Sequence, residues 1–197
     1  MPRRGKRKKR SELKETLILL ILSLKGPVGR YRLKDMLGLS EHEGVVKLML
    51  KELKSSEFIR SGAQGATLTR KGEMLLKKRL DKLGIAVIRD LDLKDLETGP
   101  YTVVAHLPKK ASLFDSVLRY RDEAIRAGAL GTTIITYKEG VLSVPMVYSN
   151  LLEVFPSAAE KLLETFNLQD GDALLVVSGV DRWKAMEGAL AVASSLP

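Results

Sequence analysis

The 197-residue chain contains no cysteine, which excludes disulfide scaffolds, thiolate metal sites and cysteine nucleophiles. It has two histidines, His42 and His106, too few for an imidazole-rich metal centre. Asparagine and glutamine are confined to Gln64, Asn150, Asn167 and Gln169, a scarcity of thermolabile side chains that fits a heat-adapted source. Long apolar runs are missing as well. The longest, residues 17–24, contains Ser23 and falls far short of the roughly 20 residues a bilayer crossing needs. The basic N-terminus lacks the apolar core and small-residue cleavage pattern of a secretory signal. These absences point to a soluble intracellular protein with no membrane partner.

What is present is a substantial core and a lopsided charge. Hydrophobic residues make up 45% and charged residues 29%, so wholesale disorder is not expected. The net charge of +9 conceals its distribution. Residues 1–83 hold 22 basic and 9 acidic side chains, a net +13, whereas residues 84–197 hold 11 and 15, a net −4. A polyanion is drawn to the first part through phosphate neutralisation and counterion release, and weakly repelled by the second. Residues 1–10 carry seven of the positive charges, Arg3, Arg4, Lys6, Arg7, Lys8, Lys9 and Arg10. Self-repulsion and the lack of an apolar face predict a disordered arm, serving either as a solubilising tail or to lie along phosphates.

Ser11 is suited to cap a helix reaching Leu24, in which Leu13, Leu17, Leu20, Ile21 and Leu24 repeat at helical spacing while Ile18, Leu19 and Leu22 grease other faces. Gly26-Pro27 ends it. A short second helix over 31–37 offers Tyr31, Leu33, Met36 and Leu37 to the interior, and Gly38 supplies a tight corner. Ser40 and Glu43 have the spacing of a capping box, opening a third helix over 41–54 with Val46, Leu50 and Leu53 inward and Met49 beside them. Strands over 58–61 and 66–69 flank a glycine-rich turn, and Thr69 caps a fourth helix to Leu83.

Leu37-Gly38-Leu39-Ser40-Glu41, followed by Val46, Leu50 and Leu53, then Phe58-Ile59 and Leu68-Thr69-Arg70-Lys71-Gly72, resembles the winged helix-turn-helix domains of bacterial and archaeal transcription regulators. The likeness covers residues 11–83. The whole chain also resembles an uncharacterised archaeal family that joins such a domain to a small α/β domain. In related domains the third helix enters the major groove and the hairpin wing touches neighbouring backbone. Carried over, this implies DNA-binding roles for Ser40, His42, Glu43, Lys47 and Lys51 on the third helix, Arg60, Gln64 and Arg70 at the wing, and Arg7, Lys8, Lys9 and Arg10 on the arm. Lys47 is the leading candidate, one turn into the helix and able to reach guanine O6 and N7 or a phosphate. Glu41 and Glu43 fit capping better than DNA contact, and His42 is equally well read as a plain surface residue.

Residues 84–100 read as a linker, with 84–89 open to a strand assignment. From residue 101 the succession is strand (101–107), helix (113–127), strand (132–137), strand (141–147), helix (156–166), strand (173–178) and helix (183–193). The first six match a ferredoxin-like βαββαβ plan with one helix added, so the expected class is α+β, a winged helix followed by a ferredoxin-like α/β sandwich in residues 101–197. Lys138-Glu139-Gly140 is a hairpin signal, and Pro145 argues for an edge or bent strand. Asp122 and Arg126 read as a solvated i,i+4 pair, Asp170-Gly171-Asp172 as a tight turn rather than a metal loop, and Asp181 as a helix cap. No nucleophile and base stand at a recognisable spacing.

The sequence therefore points to a non-catalytic regulator that binds double-stranded DNA as a homodimer and senses a small molecule through its second domain. It implies no cofactor, no metal and no catalytic residue, and it names no ligand-binding residue. The alternatives are a non-specific binder of RNA or of the chromosome, and an enzyme with a DNA-binding appendage.

Overall fold

A computed structural model describes residues 3–96, 99–114 and 117–197. The architecture is mixed α and β, with eight α-helices and two antiparallel sheets among the described residues. The chain divides into two compact units, Met1–Leu80 and Asp81–Pro197.

The first unit opens with α1 (Arg3–Lys25). Residues 17–22 are buried on every side of it, as their unbroken apolar run requires, whereas Leu24 is exposed. Residues 3–10 are helical, which corrects the disordered arm and the Ser11 cap. Arginine and lysine are good helix formers, and a helix already nucleated by the run after Ser11 extends backwards through them with one hydrogen bond gained per residue fixed. Helix α2 (Arg30–Met36) ends in a Schellman motif: Gly38, at φ 62°, donates to the Asp35 carbonyl and Leu39 to that of Lys34. The buried Lys14 ammonium donates to the Leu37 carbonyl at 2.7 Å, a cation set against a helix C-terminus.

Helix α3 spans Glu43–Ser55 and buries Val46, Met49 and Leu53, with Leu50 half-buried. Strands β1 (Ile59–Gly62) and β2 (Gly65–Leu68) pair through a two-residue turn, and Ala66 also bridges Val28. Gly65 is obligatory there. Its φ is 121°, and a Cβ would fall 2.4 Å from the Val28 carbonyl carbon. The Thr69 hydroxyl accepts from Gly72 N–H and so caps α4 (Arg70–Lys82), whose Arg79 pairs with Glu15 of α1 at 2.8 Å.

The second unit is a five-stranded sheet in the order β3-β4-β7-β5-β6, from β3 (Val87–Asp90), β4 (Tyr101–Leu107), β5 (Gly131–Lys138), β6 (Val141–Ser143) and β7 (Asp172–Gly179). Helices α5 (Val117–Arg126) and α8 (Arg182–Ser195) pack together, α8 lying on β4 and β7 and α5 on β5. On the other face, α6 (Leu151–Val154) and α7 (Pro156–Thr165) share a core with alternate residues such as Val104, Ile135, Leu174 and Val176. Helical layers on both faces are what β7, buried at all eight positions and apolar from Ala173 to Val177, demands.

Three expectations need correction here. The segment 84–100 is not simply a linker, because β3 pairs with β4. The helix expected over 113–127 is shorter: Ala111–Leu113 forms a 3-10 turn, α5 begins at Val117, and residues 115 and 116 lie outside the described residues. The succession βαββαβ is present from β4 to β7, but the strand order departs from the ferredoxin-like plan. There the first and third strands of the succession sit in the centre; here the last and second do, β7 and β5. The cause lies in side chains. A strand apolar on both faces gains most in the middle, while the three-residue β6, followed by Pro145, is confined to an edge.

Candidate nucleic-acid interface

In the positive half of the chain, α3 buries one face and leaves the other in solvent. Helix α3 turns Val46, Met49 and Leu53 into the core, and 3.6-residue periodicity then presents Val45, Lys47, Leu48 and Lys51 outward, all exposed. The side chains of Lys47, Lys51 and Lys54 make no ion pair or hydrogen bond among the described residues. Their charges are available to an anion.

The start of α3 differs from the capping-box expectation. Its N-cap is His42, exposed and without a side-chain capping bond. The Ser40 hydroxyl donates instead to the Asp35 carboxylate at 3.1 Å, and His42 N–H bonds the Leu39 carbonyl, so an extra turn separates Ser40 from the helix. Asp35 competes for the hydroxyl because the Gly38 corner folds the chain back over the end of α2. Glu43 lies in the first turn of α3 and pairs with Arg30 of α2 at 2.9 Å. That pair offsets a negative charge which would otherwise oppose an approaching polyanion.

Helix α2 adds groups that sequence reasoning missed. Tyr31, expected inside, is 62% exposed. The Arg30 guanidinium lies 5.0 Å and the Lys34 ammonium 5.7 Å from its ring centroid, cation–π distances that hold two positive charges beside a phenol. With exposed Arg32 they make a basic ledge joined to α3 by the Arg30–Glu43 pair. The available signal was Tyr31 standing among Arg30, Arg32 and Lys34.

At the hairpin, Arg60 and Gln64 are exposed, and Arg60 Nε donates across the strands to Thr67 Oγ1 at 3.1 Å. Arg70 is exposed at the start of α4. Of the twelve expected contacts, Ser40, His42, Glu43, Lys47 and Lys51 thus fall on or just before α3, and Arg60, Gln64 and Arg70 on or beside the hairpin. Arg7, Lys8, Lys9 and Arg10 lie on α1 by backbone, and their side chains are outside the described residues.

The second unit offers a different kind of polar cluster. His106 Nε2 lies 2.8 Å from Asp172 Oδ2, while Lys109 N–H donates to Oδ1 and Gln169 N–H to Oδ2, each at 3.0 Å. Burial works to raise the Asp172 carboxyl, but the two backbone donors and His106 outweigh it and hold it below its ordinary value. Both oxygens are engaged, tying the start of β7 to β4, to the loop after β4 and to the loop before β7, which is structural work. Asp181 Oδ1 accepts from Lys184 N–H at 2.8 Å and caps α8, and Arg126 pairs with Asp122 and Glu123 on one exposed face. No group of three acidic or histidine side chains that could hold a metal ion occurs among the described residues, and no helix among them is long and apolar enough to cross a membrane.

Residues 98–196 match the family described as a domain of unknown function, DUF4443. The chain belongs to that family. The family region takes in β4 to α8, and α3 and the hairpin lie before it. The chain is also similar to a solved structure, "Hypothetical protein PH0730 from Pyrococcus horikoshii OT3", at 27% identity and a TM-score of 0.68, covering 93% of this chain and 91% of that one. No curated protein matches the sequence.

Proposed function

We propose that the protein is a non-catalytic, DNA-binding transcription regulator, in which residues 11–83 act as a winged helix-turn-helix. In this reading α3 enters the major groove, the β1–β2 hairpin is the wing and the α2 ledge meets phosphates. The supporting observation is the unpaired Lys47–Lys51 face on a helix whose other face is core, with its neighbouring carboxylate Glu43 already bound to Arg30. An exposed cation row complements a polyanion, and a duplex supplies one charge per ~1.7 Å of axis.

The second unit, in this proposal, dimerises the protein so that two heads meet paired half-sites, and it carries the response to a small-molecule effector. The deciding experiment is competition binding of the full chain to an enriched genomic duplex against scrambled DNA and RNA across a salt series. Preference for the genomic duplex that persists at physiological salt is expected. Equal affinity for all three polymers favours a general nucleic-acid coat instead, and no binding to any of them removes the proposal. Sedimentation free and on DNA tests the dimer, which a monomer in both states contradicts.

A further inference from the structure

The outward face of α3 is not purely cationic. Val45 is 42% and Leu48 56% exposed, three residues apart on the same side of the helix, with Lys47 and Lys51 both on the flank of Leu48 that faces away from Val45. Before them stands Gly44, where an added Cβ would meet no atom within 4 Å, so the helix backbone itself can approach a surface closely at that point. Two half-exposed aliphatic side chains are a small part of the ~800 Å² that each partner buries in a stable protein interface. The net +13 of residues 1–83 argues against another copy of this basic head as the occupant. In the major groove, by contrast, the only apolar group presented by a base pair is the thymine 5-methyl.

We propose that Val45 and Leu48 read thymine methyl groups, with Lys47 beside Leu48 engaging guanine or phosphate, so that the favoured site carries thymine where these two side chains face it. This rests on the DNA-binding reading above. Each methyl buried against Val45 or Leu48 is expected to strengthen binding about fourfold, the scale of moving one methyl-sized apolar group out of water.

The test takes a duplex selected by the full chain from a random library and replaces its thymines one at a time with deoxyuridine, which deletes the methyl and keeps the base-pairing edge. About fourfold weaker binding at one or two positions, with that sensitivity lost at one of them in Leu48→Ala and at the other in Val45→Ala, supports the inference. Comparing both changes singly and together isolates the contact from any change in duplex shape. Both variants alter exposed side chains, and thermal unfolding confirms that each folds. Equal affinity for thymine and deoxyuridine duplexes overturns the methyl contact while leaving DNA binding intact. Failure to select any duplex overturns both. A Leu48→Ala change that dissociates a dimer yet leaves DNA affinity unchanged assigns the patch to a second copy and also overturns the inference.

Discussion

Helices α3 and α8 have nearly equal length, 13 and 14 residues, and opposite fates. Eight residues of α8, from Trp183 to Ala193, are buried, and at Gly188 a Cβ would come within 2.7 Å of the Ala129 Cβ. Helix α3 buries three residues and leaves lysines and aliphatic side chains in solvent. The half that holds α3 is positive and the half that holds α8 is negative. Helix α8 is used up by packing and α3 is not, a contrast on which the proposal of recognition by α3 rests.

That contrast can be broken in several ways, beginning with stability. Leu175→Ala in the centre of β7 removes a fully buried side chain and is expected to cost about 2–5 kcal/mol, read by denaturant unfolding. A loss well under 1 kcal/mol would mean that the sheet is not the scaffold. Lys47→Ala should weaken binding to the selected duplex by about 1–3 kcal/mol if the lysine meets a guanine edge, without moving the unfolding midpoint. Lys51→Ala, as a phosphate contact, should lower the salt slope by about one and weaken all duplexes alike.

Asp172→Asn separates structural polarity from function. It deprives a buried backbone N–H or His106 of its acceptor, a cost of about 1–3 kcal/mol, and DNA affinity measured below the unfolding transition should be unchanged. The pH dependence has a definite sign. The folded-state value of Asp172 lies below its ordinary 3.8, so its contribution is full above the unfolded-state value and disappears as pH falls through the folded one. The unfolding midpoint of the variant should therefore vary less with pH below about 4 than that of the parent chain. A steeper acid loss in the variant would reverse this assignment. The smallest effect is expected for Arg126→Ala, whose partners Asp122 and Glu123 share an exposed helix face. A change within about 0.5 kcal/mol is in keeping with a solvated pair, and a larger one would point to work beyond solvation.

Strong one-dimensional signals were legible in the sequence. The very apolar stretch over 173–178 reads as a buried strand, and Glu139-Gly140, with φ of 51° and 84°, is the two-residue turn its composition suggests. The cap at Asp181 follows from a short acidic side chain before an apolar helix. Signals that depend on competition between partners were not legible. Ser40 has the spacing to cap α3, yet Asp35 takes its hydroxyl. Tyr31 has the character of a core residue, yet the cations beside it hold it at the surface. Sheet order was hidden for a similar reason, since a list of strands does not say which of them gains most from a central place. Of the candidate interface, Lys47 and Lys51 were readable from helical period alone, whereas the Arg30–Glu43 pair and the exposed Val45 and Leu48 required the fold.

The absence of native cysteine permits a direct measurement. A photocrosslinker is attached at Glu41→Cys, in the turn just before α3, or at Arg121→Cys, on the exposed face of α5, and each full-length protein is irradiated on its selected duplex. Adducts with DNA from position 41 and none from position 121 are the expected result. Adducts from position 121, or a bound duplex that position 41 never reaches, would contradict the assignment of recognition to α3.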